Sequence, residues 1–324
     1  MNMHSHHSHS GTYVSHGADD LDSIVASAER KGFTVFCLTE HMPRLENKYL
    51  YPEETAKNYT TDNLKKDFGD FLSHAKEIQK KYNEHGKMRV LVGFEVEGIN
   101  EEHIQYSKSL LDNGITKINL SIGSVHYVND SPIDFNQELW FEARDKCENK
   151  STRSLFYKYF EAQFAVLKGL KPTVIGHFDL IRLFSPQNER DPSTDKLIKD
   201  VDLKIDWPEV WALVETNVKL VVEYGGLFEL NSSAFRKGWN SPYPLMDICN
   251  CIVENGGKFC LSDDSHSIVQ VGMNLHRAFA FARDVLHLTH IYHLEVDGNN
   301  DTKVVKNSVE EIDTMQFWKQ YHDK

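Results

Sequence analysis

Five histidines stand within the first sixteen residues: His4, His6, His7, His9 and His16. They lie in the run His-Ser-His-His-Ser-His-Ser, followed by Gly11, Tyr13 and His16-Gly17. Neutral imidazole is the commonest metal-binding side chain, and a His-x-His step on an extended chain points both rings to one side. A purification tag is the bland alternative. The run is not a homopolymer, however, and it leads straight into a helix start at Asp19-Asp20. The chemistry it suggests is metal-assisted.

The elements that would position such a site can be read from periodicity. Short apolar or β-branched runs recur at residues 34–38, 89–96, 117–124, 173–176, 226–230, 258–261 and 291–296. Amphipathic helical patterns occupy 21–31, 61–82, 101–113, 151–168, 206–224, 245–254 and 268–285, with Gly32, Gly114 and Gly256 just past helix ends. Strands alternating with helices of this length mean βαβ units and a parallel sheet, and seven or eight such units suggest a closed α/β barrel. The polar segments 127–150 and 185–205 are long for βα connections and are expected to be lids or insertions. No linker divides the chain, so 1–324 reads as one domain.

Ligand-type residues cluster where the apolar runs end. These ends read Thr39-Glu40-His41, Glu95-Val96-Glu97, His126, His177-Phe178-Asp179, Asn231-Ser232-Ser233 and Ser262-Asp263-Asp264-Ser265-His266. In parallel α/β folds that edge is where active sites assemble. One histidine at a strand end is usually structural. Their recurrence at one edge predicts a multinuclear metal site at the C-terminal mouth.

The 324 residues carry 36 Lys+Arg against 48 Asp+Glu, a formal charge of −12. That balance argues against a nucleic-acid partner, whose footprint is basic. Five cysteines without metal-finger spacing suit a reducing compartment. With no basic leader and no apolar run near ~18 residues, neither export nor a membrane span is expected, so the reading is cytoplasmic.

Taken together, His7-x-His9, His16, Thr-Glu-His41, Gly-x-Glu95, His126, Gly-His177 and Asp264-x-His266 resemble the motif series of the PHP (polymerase and histidinol phosphatase) superfamily. The opening run and Cys-Leu-Thr-Glu-His-Met-Pro-Arg at 37–44 are closely similar to its fungal-type histidinol-phosphatases. The resemblance runs from about residue 3 to the helix after Asp264-x-His266. It implies a distorted (β/α)7 barrel with a trinuclear metal centre that hydrolyses L-histidinol phosphate in histidine biosynthesis.

By the same resemblance, His7, His9, Glu95 and Asp264 surround one metal. Glu95 bridges to a second held by His126 and His177, and His16, His41 and His266 hold a third. Glu95, Asp264 and His266 are expected to carry catalysis. Nitrogen and carboxylate ligands suit two or three zinc, iron or manganese ions. A hydroxide shared between two such ions is the expected nucleophile. His4 and His6 compete with His7 and His9 in the assignment, and Asp263 competes with Asp264. The later pair is preferred because it directly precedes Gly11…His16-Gly17, and Asp264 because Asp-x-His is the matching spacing. Glu97 lies on the same face of an extended chain as Glu95 and is expected behind the ligands.

A phosphate monoester calls for arginine, whose planar fork matches phosphate oxygens. Arg182 and Arg236 are the first choices, with Lys237, Arg44 and Ser233 also near the predicted mouth. Glu229, Glu97 and Asp179 are candidate carboxylates for the cationic groups of the substrate. Another phosphomonoester is the nearest alternative substrate. An amidohydrolase-type enzyme and a metal-binding protein without catalysis are the more distant readings.

Overall fold

The computed structural model describes residues 3–112, 117–297 and 301–322. Seven strands form one parallel sheet, ordered His4–Ser5, Val35–Leu38, Arg89–Glu95, Leu120–Gly123, Val174–Ile175, Leu227–Asn231 and Lys258–Ser262. The sheet curls into a nearly closed barrel. Across the last gap no ladder forms between His4–Ser5 and Lys258–Ser262. The strands meet instead through a Ser8–Ser265 bridge and a 3.3 Å bond from the His6 amide to the Leu261 carbonyl.

The helices take the places the periodicity predicts because each has an apolar stripe and a start signal. In Leu21–Arg30, Leu21, Ile24, Val25 and Ala28 are buried at helical spacing, and the Asp20 carboxylate accepts from the Ser23 amide at 2.8 Å. Asn100 and Ser151 cap Glu101–Leu111 and Thr152–Leu170 in the same way. Gly114, the expected stop after the former, lies outside the described residues. The strands alternate between two hydrophobic clusters. Phe36, Val90, Phe94, Phe228 and Leu261 pack with the helices, while Val35, Cys37, Leu91, Leu120, Ile122, Val174, Leu227 and Cys260 form a second cluster with Leu294.

Three expectations change. The run at 291–296 forms strand His290–Val296, which pairs antiparallel with Thr302–Ser308 in a hairpin outside the barrel. The seventh barrel strand is the N-terminal His4–Ser5. Two residues are too few to show an alternating pattern, so periodicity could not mark it. The helical pattern at 268–285 becomes a helix only at Leu275–Ala280, ending in a π turn at Phe281–Val285. Gly272 and Asn274 take positive φ values of 72° and 60°, which no α-helix accommodates.

Candidate metal centre

Glu95 ends strand Arg89–Glu95 at the C-terminal mouth and is buried. Its two oxygens face different sets of imidazoles. Oε1 lies 3.1 Å from His126 Nε2 and 3.0 Å from His177 Nε2, and it accepts from Ser124 Oγ at 2.6 Å. Oε2 lies 3.1 Å from His7 Nε2, 3.2 Å from His9 Nε2 and 3.2 Å from His41 Nδ1. Asp264 Oδ1 stands 3.7 Å and 3.6 Å from the same His7 and His9 nitrogens. The rings of His41 and His266 stack on His9 with centroids 4.5 and 4.4 Å away.

Carboxylates behind the imidazoles set their direction. Glu229 meets His7 Nδ1 at 3.2 Å, Glu40 lies 3.5 Å from His9 Nδ1, and Asp134 is 3.0 Å from His126 Nδ1. Such a partner fixes the proton on Nδ1 and turns Nε2 toward the centre. Glu97 is 3.1 Å from His41 Nδ1 and is itself held by Arg44. His266 Nδ1 is 3.0 Å from the Asp264 carbonyl.

The electrostatics call for a compact positive charge. Burial works against ionising Glu95, yet His7, His126 and His41 hold its carboxyl well below the usual range. Burial also disfavours charge on the imidazoles. The neighbouring carboxylates of Glu40 and Glu95 nevertheless raise His9 to about 9, and Glu95, Asp264 and Glu229 raise His7 well above its ordinary value. His41 and His266 go the other way, lowered by burial and, among their neighbours, by His9. These imidazoles cannot all protonate around one carboxylate. His7 Nε2, both His9 nitrogens and His41 Nδ1 are buried without a hydrogen-bond partner. Divalent cations would satisfy His7 Nε2, His9 Nε2, His41 Nδ1 and Glu95 together. Three groups have ligand atoms close enough to share an ion: His7, His9 and Glu95; His41, Glu95 and His126; and His9, His41 and His266. His16 stands at the rim with 36% of its side chain exposed, its ring centroid 5.0 Å from that of His266.

The two open choices separate by direction. His4 and His6 point away from the mouth, where His4 Nε2 accepts from the Leu261 amide and His6 Nε2 from the Leu294 amide, each at 3.0 Å. Asp263 is occupied by Ser5 Oγ at 2.9 Å and the Gly272 amide at 2.5 Å, whereas the Asp264 side chain faces the imidazoles. Asp264 does so at φ 50°, a strained conformation for a residue with a side chain, of the sort found at functional sites. Gly176, before His177, has no room for a Cβ, which would lie 2.4 Å from Ser124 Oγ.

The centre opens into a cavity of about 380 Å³ whose wall includes His9, His16, His41, His126, His177, Asp264 and His266. Arg236 and Lys237 also line it. Arg236 is braced by donating to the carbonyls of Asp263 and Asp264 at 2.8 and 2.7 Å.

Three expected substrate contacts lie elsewhere. Arg182 is spent on Asp179 at 3.0 Å and Asp247 at 2.7 Å, and it lines a separate cavity with Phe156 and Trp207. Arg44 is buried between Glu54 and Glu97, 4.4 Å over the Tyr51 ring. Ser233 is buried, with its amide bonded to Asn231 Oδ1. Closeness in sequence to a strand end placed these residues near the mouth without fixing which way they point. The rim carboxylates change as well: Glu229 supports His7, and Asp179 is buried beside Arg182. Sequence reasoning gave no role to Asp134, Glu53, Tyr51 or Phe135, which line the cavity, and grouped Glu40, which backs His9, only with the ligand-type strand ends. Asp134 sits in the aperiodic stretch after His126, where nothing but proximity could have marked it.

The PHP domain profile matches residues 5–233. This chain belongs to the PHP domain family. The histidinol-phosphatase of Saccharomyces cerevisiae is 38% identical over 308 residues, spanning 90% of this chain and 92% of its own. A Schizosaccharomyces pombe protein provisionally given the same name is 38% identical over 305 residues, spanning 94% and 93%. Solved structures share the barrel fold. One, provisionally named a histidinol phosphatase of Listeria monocytogenes, has a TM-score of 0.68 at 18% identity, covering 85% of this chain and 99% of that one. The histidinol phosphate phosphatase of Lactococcus lactis, solved with zinc, L-histidinol and phosphate, has a TM-score of 0.54 at 16% identity, covering 85% and 93%. No described helix is long and apolar enough to cross a membrane.

Proposed function

We propose that this PHP protein is a metal-dependent phosphomonoesterase that hydrolyses L-histidinol phosphate to L-histidinol and phosphate, a step of histidine biosynthesis. The observation that carries the reading is Glu95, whose two oxygens divide His7, His9 and His41 from His126 and His177 at the floor of a cavity lined by Arg236 and Lys237. The 38% identity to the yeast histidinol-phosphatase along nearly all of both chains supports the substrate.

His7, His9, Glu95 and Asp264 would hold one ion, Glu95, His126 and His177 a second, and His16, His41 and His266 a third. Bound divalent ions of zinc, iron or manganese type bring the pKa of water toward ~7 and screen developing phosphoryl charge. The protein supplies orientation. Glu229 and Asp134 fix the imidazoles of His7 and His126, and Lys237 and the braced Arg236 offer donors to phosphate oxygens. Glu95, Asp264 and His266 carry catalysis. The whole chain acts as one barrel domain. Segment 127–150 forms a cavity wall through Asp134 and Phe135, anchored by Trp140 Nε1 donating to the Ile181 carbonyl at 2.9 Å. We place the enzyme in the cytoplasm, in keeping with its five free, buried cysteines.

Phosphate release from L-histidinol phosphate, measured beside a generic aryl phosphate, tests the substrate. A strong preference for histidinol phosphate is expected. Turnover confined to other esters would retain a phosphatase and discard the assignment.

A further inference from the structure

The cavity wall carries one acidic side chain that neither the metal centre nor its supports use. Glu53, on the short helix Pro52–Ala56, lines the cavity beside Tyr51 and Phe135. Its side chain is 25% exposed, yet both carboxylate oxygens are shielded and accept no hydrogen bond. Its imidazole neighbour, His16 Nδ1, is 3.6 Å away, beyond hydrogen-bonding distance. A carboxylate so placed costs free energy unless a donor reaches it. Its terminal torsion is soft, so little is needed to turn it toward a bound group.

The other cavity carboxylates are engaged. Glu95 and Asp264 belong to the metal centre. Asp134 is bonded to His126 Nδ1 and also sits in the field of Lys237. Beside Glu53, the Tyr51 and Phe135 rings stack with centroids 5.9 Å apart and planes within 17°. Phe135 is 38% exposed and lines the cavity. A flat apolar face next to a carboxylate that no donor reaches matches a ligand that carries a planar ring and a cation together.

We infer that Glu53 is the specificity-determining residue for a protonated amine on the substrate, with Tyr51 and Phe135 as the platform for its aromatic ring. The inference rests on the phosphomonoesterase reading and narrows the substrate class to phosphate monoesters bearing an ammonium group. Arg236 and Lys237 select for phosphate, and Glu53 selects among phosphates.

The test compares wild type and Glu53→Gln on two matched pairs, each with and without the amine: L-histidinol phosphate and its desamino analogue, and 3-aminopropyl phosphate and propyl phosphate. Metal content is measured on the same samples. A charge-assisted hydrogen bond is worth about 10- to 100-fold in kcat/KM. Wild type should therefore prefer the amine-bearing member of each pair, and Glu53→Gln should erase about that factor while retaining its metals. If wild type prefers aminopropyl phosphate to propyl phosphate but ignores L-histidinol phosphate, the histidinol assignment fails and the amine subsite stands. Equal losses on both members of a pair, with metal lost, would show that Glu53 acts by positioning His16 and overturn the inference. So would a wild type indifferent to the amine.

Discussion

Two histidine pairs on the same short stretch of chain have opposite fates. His4 and His6 turn toward the barrel seam, and His7 and His9 turn toward the mouth. At the seam, among the described residues, there is no carboxylate at bonding distance from His6. Burial, with His293 nearby, lowers it to about 3, and the neutral ring bridges the Leu261 carbonyl at 3.2 Å and the Leu294 amide at 3.0 Å. At the mouth His9 is equally buried, but Glu40 and Glu95 raise it to about 9. Burial alone does not make a metal ligand. The carboxylates in front of and behind the ring decide whether an imidazole serves as a backbone bracket or as a cation site.

The comparison breaks most sharply at Glu95. Glu95→Gln keeps the shape and removes the charge that both sets of imidazoles share, so kcat should fall by about 10³-fold or more. Elemental analysis of the same sample should show lost metal, and circular dichroism should show an intact fold. Asp134→Asn and Glu229→Gln leave every proposed ligand in place; the first disturbs the orientation of His126, and the second that of His7 and of the His177 amide, from which Glu229 accepts at 2.6 Å. Each should weaken metal affinity or activity by about 10- to 100-fold, read by metal titration.

His6→Ala, on the other side of the same strand, should do the reverse. It strands the Leu261 carbonyl and the Leu294 amide and opens a small cavity, costing about 2–4 kcal/mol of stability in urea melts. Turnover per folded molecule should hold. Because the folded His6 has a pKa below its unfolded value of 6.5, its contribution is complete above pH 6.5. It declines as pH falls and is exhausted near pH 3. The acid loss of stability between those values should be shallower in His6→Ala than in the parent. The smallest effect belongs at an exposed helix end: Asp20→Ala removes a helix cap worth about 1 kcal/mol and should leave kinetics alone.

Much of this was legible in the sequence because residue type and strand period act locally. His41, Glu95, His126, His177 and Asp264 follow apolar runs, and a parallel sheet brings such ends to one edge. Contacts made across the barrel were not legible. Arg182 and Arg236 follow ligand-bearing strand ends at similar distances, yet Asp179 and Asp247 draw the first away while the backbone carbonyls of Asp263 and Asp264 hold the second in the cavity wall. Nothing near Glu53 in sequence indicates that it shares a cavity with His266. The barrel's closing strand escaped periodicity because two residues have no period.

The central claim is that the mouth histidines form a metal centre that carries the phosphatase chemistry. The direct measurement strips the protein with chelator, returns zinc or manganese in steps, and records bound metal and phosphate release from L-histidinol phosphate on the same samples. Activity absent in the stripped protein and rising to a plateau at two or three ions per chain is the predicted result. Full turnover in the stripped protein, or saturation of those sites without any phosphatase activity, would contradict the account.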